Sequence, residues 1–75
     1  MTRLRLILRT INDVKEFVRI VNNYTYEIDL SSGRYVVDAK SIMGIFSLDL
    51  TKPLDVEVQS DHCADLQADL ARFLV

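Results

Sequence analysis

The sequence predicts an α+β fold in which one β-sheet carries its helices on a single face. Three observations lead there. Four segments alternate apolar and polar residues with period two, and the segments between them place apolar residues at helical spacing. Those helical segments are amphipathic rather than apolar all round, so each has one face to cover and one for water. The order reads β-α-β-β-α-β-α. At 75 residues the expectation is a single domain over residues 1–75, burying about 60% of its unfolded surface and leaving little room for a deep cleft.

Each element has its own signature. From Thr2 to Arg9, Leu4, Leu6 and Leu8 point one way and Arg3, Arg5, Ile7 and Arg9 the other, which makes a strand with a basic outer face. Val14, Phe17, Val18 and Val21 recur at i, i+3, i+4 and i+7, predicting a helix over 11–23, capped by Thr10 with Asp13 or by Asn12 alone. Tyr26, Ile28 and Leu30 alternate with Glu27 and Asp29; Ser31-Ser32-Gly33 reads as a turn and Tyr35-Val36-Val37 as the returning strand, so a hairpin is expected near 25–30 and 34–39. Ser41 opens a short apolar run, Ile42 to Leu48, read as one or two helical turns. After Lys52-Pro53, Leu54, Val56 and Val58 alternate with Asp55, Glu57 and Gln59 as a fourth strand. Cys63, Leu66, Leu70 and Phe73 mark the buried stripe of a last helix capped by Ser60 or Asp61, with Asp65, Asp69 and Arg72 outside. The basic face of the first strand and the acidic face of the fourth would gain roughly 0.2 to 1 kcal/mol per cross-strand contact if paired. Glu27 and Asp29 of the second strand make the same offer, so charge leaves the strand order open.

Composition narrows the function classes. Nine Lys and Arg against eleven Asp and Glu give a net charge of −2, too balanced for a nucleic-acid footprint or an electrostatic membrane anchor. No apolar run reaches the 18 or so residues of a membrane span, and the start lacks the unbroken apolar core of a signal peptide. With the lone Cys63 no internal disulfide forms, and a reducing cytoplasm is the expected compartment. His62, the only histidine, adjoins Cys63, but neighbouring helical positions point about 100° apart and zinc needs three or four ligands. The reading is Cys63 in the core and His62 as a solvated first-turn residue, with no metal and no cofactor. No phosphate loop, carboxylate pair or Ser-His-Asp order is present, so no enzyme is expected. Tyr24, Tyr26 and Tyr35 could serve as base-stacking platforms, yet Glu27, Asp29 and Asp38 beside them repel phosphate; inward-facing or hairpin-packing tyrosines are expected.

The most unusual stretch runs from Asp38 to Leu48. A helix this short cannot bury Ile42, Met43 and Phe46 together, which predicts an exposed apolar patch and a partner site; the alternative is that all three pack under the hairpin. Lys40-Ser41-Ile42-Met43-Gly44-Ile45-Phe46-Ser47-Leu48, after a Gly-containing hairpin and before a strand and terminal helix, resembles HPr, the phosphocarrier of the bacterial sugar phosphotransferase system. The resemblance covers almost the whole chain. It implies an HPr-like open-faced β-sandwich, with a four-stranded antiparallel sheet in order 1-4-2-3 under three helices.

HPr carries its phosphoryl group on a histidine in a His-Ala-Arg-Pro block at the start of the first helix. Counted back without gaps from Lys40-Ser41, that block falls on Thr10-Ile11-Asn12-Asp13, where neither histidine nor arginine stands. A neutral imidazole nitrogen forms a labile N-phosphate near pH 7, whereas a threonine hydroxyl is a weak nucleophile and its ester is stable. In many Gram-positive HPr proteins the serine of the second block is phosphorylated by a dedicated kinase and the short helix docks onto partners. The matching residues are Ser41 as modification site and Lys40, Ile42, Met43 and Phe46 as docking surface, with Ser41 as a plain N-cap the other reading. Phosphotransferase-system enzymes, a serine kinase or a transcription regulator are the partners so implied. The leading expectation is a non-catalytic, regulatory HPr relative, monomeric or a weak homodimer. Two others stand beside it: a phosphocarrier using a non-standard site, His62, and a structural domain that dimerises through the apolar patch.

Overall fold

The period-two segments assemble, in a computed structural model describing all 75 residues, into one antiparallel sheet. Its strands are β1 (Thr2–Leu6), β2 (Ile28–Ser32), β3 (Tyr35–Asp38) and β4 (Leu54–Val58), in the order β1-β4-β2-β3. Three helices, α1 (Ile11–Val21), α2 (Ile42–Phe46) and α3 (Ala64–Asp69), complete the open-faced sandwich, and a 3-10 turn (Ala71–Phe73) follows α3. The β1–β4 register sets Arg3 opposite Glu57 and Arg5 opposite Asp55. Their side chains meet at 3.2 and 3.5 Å, so the basic strand finds its acidic neighbour as expected.

Alternation along the strands sends Leu6, Ile28, Leu30, Leu54, Val56 and Val58 into the core. Val14, Phe17, Ile20 and Val21 of α1 meet them there, and Phe73 sets its ring edge-on to Phe17 at 6.4 Å and 79°. Burying a side chain such as Phe17 stabilises by about 1.5–3 kcal/mol, and all eighteen buried residues are apolar. Arg3, Arg5, Asp29, Asp55 and Glu57 lie on the other side of the sheet.

Several boundaries differ from expectation, each for a physical reason. β1 stops at Leu6 because the chain beyond it pairs with the C-terminal tail: Ile7 N donates to Phe73 O at 2.9 Å and Val75 N to Arg5 O at 3.0 Å, around a Leu6–Leu74 bridge. α1 ends two residues early, where Asn22 folds its side-chain amide back onto Val18 O at 2.8 Å. The hairpin is shifted toward the C-terminus. Ser31 and Ser32 extend β2, and the turn is Gly33-Arg34, where Gly33 takes φ +58° as the first central position of a II′ turn requires. The last helix breaks at Leu70, and neither Ser60 nor Asp61 caps it. Cys63 occupies the N-cap position with no side-chain bond. Ser60 Oγ instead accepts from His62 N at 3.1 Å, and Asp61 pairs with the amino terminus. His62 therefore precedes the helix rather than lying in its first turn.

Candidate functional site

Two places bear on function. The first is the start of α1. Thr10 has extended backbone at the N-cap, and its Oγ1 accepts from Asp13 N at 3.0 Å. Asp13 Oδ2 in turn accepts from Arg9 N at 2.9 Å. Thr10 satisfies one of the amides that α1 would otherwise leave open, while Asp13 ties down the chain just before the cap and brings a carboxylate to the helix end that favours anions. Asn12 is exposed. Arg72 lies across the same shallow depression, its guanidinium 4.5 Å above its neighbour Phe73's ring centroid. No imidazole is near: His62 sits beside Asp61, which holds the amino terminus at the opposite end of β1 from Thr10.

The second place is α2. Ser41 N donates to Asp38 O at 3.0 Å, and Ser41 Oγ accepts from Gly44 N at 3.2 Å as N-cap. Only Ile45 of the five helical residues is fully buried. Ile42 is half-buried, while Met43 is 77% and Phe46 42% exposed, so the expected apolar patch is on the surface. Gly44 explains how so short a helix can sit so close to the sheet. A Cβ there would come within 3.2 Å of Val37 Cβ and 3.3 Å of Ser41 Oγ, so the bare position lets the backbone of α2 lie against β3 without pushing either neighbour aside.

Lys40 is tied inward. Its Nζ donates to Tyr24 O at 2.7 Å, and Asn22 Nδ2 approaches Lys40 O at 3.5 Å, so the block's first residue braces the start of α2 against the end of α1.

The tyrosines divide. Tyr24 and Tyr26 stack at 5.7 Å and 10° and reach α3: Tyr24 OH donates to Asp69, and Tyr26 OH to Asp65 Oδ1 and His62 O at 3.1 Å each. The bond to Asp69, which favours the neutral phenol, pushes the Tyr24 pKa up to about 12, with desolvation helping. Tyr26 is raised mainly by burial and then by its bond to Asp65. Tyr35 is 74% exposed beside the hairpin turn, which corrects the expectation that it faces inward or packs on the hairpin; it lies where β3 has no outer neighbour. This tyrosine lock onto α3 lies beyond the expectations drawn from the sequence. Its one sequence signal is that Asp65 and Asp69 stand four apart on one helix face.

No group of three or more His, Cys, Asp or Glu side chains converges as a metal site, and no helix is long and apolar enough to cross a membrane. Residues 12–73 match the family described as PTS HPr component phosphorylation site. Among solved structures the chain is similar to HPr-C-His from Thermoanaerobacter tengcongensis, at 20% identity and TM-score 0.80, over 96% of this chain and 89% of that one. It is also similar to the phosphocarrier protein HPr from Bacillus anthracis str. Ames, at 20% identity and TM-score 0.75, over 99% of this chain and 96% of that one. No curated protein matches it in sequence.

Proposed function

The chain belongs to the HPr family of phosphotransferase-system proteins, and from that premise we propose that it acts by docking onto protein partners through α2 rather than by carrying a phosphoryl group. The observation that carries the reading is a contrast within one fold. The α2 surface is presented, with Met43 and Phe46 outward over an anchored Ile45, while Thr10, which an ungapped count from Lys40-Ser41 sets at the phosphoacceptor position, has its oxygen engaged as a helix cap. A threonine hydroxyl is a weak nucleophile, and its phosphate ester would not pass the group on. Asp13 adds negative charge where the phosphate of an incoming donor would have to lie.

The partner class is proteins of the phosphotransferase system or its regulators, the compartment the cytoplasm. Docking would rest on Ile42, Met43 and Phe46, with Lys40 holding the start of α2 in place. Ser41 is the candidate switch. It is exposed, and a phosphate there would bring about −1.5 to −2 charges to the border of the apolar patch. Its dipole stabilisation of roughly 0.3–1 kcal/mol is too small to refold the domain, so the effect would fall on a partner's Arg, Lys or acidic groups.

The test is incubation with phosphoenolpyruvate and the general phosphotransferase enzyme, followed by acid and alkaline hydrolysis of any protein-bound phosphate. No acid-labile phosphate is expected; its appearance overturns the reading, and its loss in His62→Ala would locate the carrier. A parallel incubation with the HPr serine kinase and ATP is expected to yield acid-stable phosphate that Ser41→Ala abolishes.

A further inference from the structure

The sheet has two outer strands, and the chain treats them differently. The Leu6 end of β1 is closed by the C-terminal tail. β3 has no neighbour on its outer side. Ala39 N donates to Ile28 O at 3.0 Å, continuing the β2–β3 register. Bonds to β2 therefore fall at 39, 37 and 35, and the N–H and C=O of Val36 and the N–H of Asp38 point away from the sheet. Asp38 O is occupied by Ser41 N. Val36 is also 62% exposed, so the middle of the strand offers both backbone bonds and apolar surface.

Charges decide what such an edge accepts. Edge strands avoid self-pairing with charged side chains that repel when two edges meet. Here Arg34 and Asp38 stand two residues to either side of Val36 with opposite signs, and neither takes part in an ion pair within the chain. A two-fold rotation about Val36 therefore sets Arg34 of one copy against Asp38 of the other, twice, and Tyr35 against Val37. Any register displaced by two residues loses both Arg34–Asp38 matches, and a shift toward the C-terminus sets Arg34 against Lys40.

We propose that β3 pairs antiparallel with β3 of a second copy, Val36 opposite Val36, making a weak two-fold dimer whose sheet is continuous across both molecules. The contact is short. It falls below the roughly 1,200 Å² at which stable interfaces begin, so association depends on concentration and reverses on dilution. The inference is independent of the docking role of α2, which lies on the helix face of the sheet.

The experiment follows amide shifts of the wild-type protein from micromolar to millimolar concentration, with sedimentation equilibrium on the same samples. Shifts centred on Arg34–Asp38 and a rising mass are expected. Arg34→Asp and Asp38→Arg each place like charges opposite one another and are expected to weaken association on the order of tenfold. An equimolar mixture of the two variants, in which each copy supplies one sign, restores it. A wild-type protein that stays monomeric at millimolar concentration overturns the proposal. So do concentration-dependent shifts centred on Met43 and Phe46, or a mixture no tighter than either variant alone.

Discussion

Replacing Ile45 by Ala tests whether α2 is held by one anchor. Ile45 is fully buried, whereas its helical neighbours Met43 and Phe46 are exposed. Ile→Ala removes three carbons, about 2.4 kcal/mol of transfer free energy at ~0.8 kcal/mol each. The cavity left behind raises this to about 2.5–4 kcal/mol. A 75-residue chain is expected to have about 4–11 kcal/mol of total stability, so a single substitution removes a large part of it. At a urea slope of about 1–1.5 kcal/mol/M the midpoint should fall by roughly 2–4 M. Met43→Ala, two residues earlier in the same helix, should leave the stability within about 0.5 kcal/mol of wild type. Hydrogen exchange separates two routes: if α2 opens locally, the amide of Ile45, which bonds to Ser41 O at 3.1 Å, loses protection before the sheet does. A loss below about 1 kcal/mol in Ile45→Ala, with α2 protection intact, would show that other contacts hold the helix and would refute the anchor argument.

Three further outcomes follow from the geometry. Because the folded Tyr24 pKa is raised above the usual 10 to about 12, its contribution is fully present below pH 10 and is lost as pH rises toward 12; Asp69→Asn should flatten that part of the urea-midpoint profile, and an unchanged profile would contradict the assignment. Thr10→Ala should cost about 1 kcal/mol as the α1 cap is lost, measured by urea denaturation, and Thr10→Ser far less. A double-mutant cycle on Arg3 and Glu57 should return a coupling of about 0.2–1 kcal/mol that shrinks at high salt; coupling that survives molar salt would point to packing rather than charge.

What the sequence discloses here is local. Period-two alternation announces β4 correctly because Leu54, Val56 and Val58 lie against the core while Asp55 and Glu57 meet arginines on the far face. The same rule runs past the end of β1, since Ile7 to Arg9 alternate as well; what stops the strand is a tail 68 residues away in sequence, pairing across Leu6. Ser31 and Ser32 look like turn residues until β3 supplies their partners. Within the site, exposure of Met43 and Phe46 follows from helix length alone, but the inward bond of Lys40 to Tyr24 O and the tyrosine bonds to α3 join segments 16 to 45 residues apart, and no window of sequence contains both ends. Ser60 and Asp61 are good cap residues by type, yet one serves a turn and the other the amino terminus, because the chain enters α3 only after Cys63.

That last position gives the protein a built-in reporter. Cys63 is the only thiol, is buried at the root of α3, and sits 3.5 Å from Gln67 Nε2. A thiol reagent can reach it only when that region opens, and no second cysteine competes for the signal. Labelling rate against denaturant would therefore time the undocking of the C-terminal segment in the unmutated chain, without an added dye or substitution. The same kinetics, followed with Tyr24 and Tyr26 still engaged on Asp69 and Asp65, would reveal whether α3 leaves the sheet as a unit or peels from its first residue.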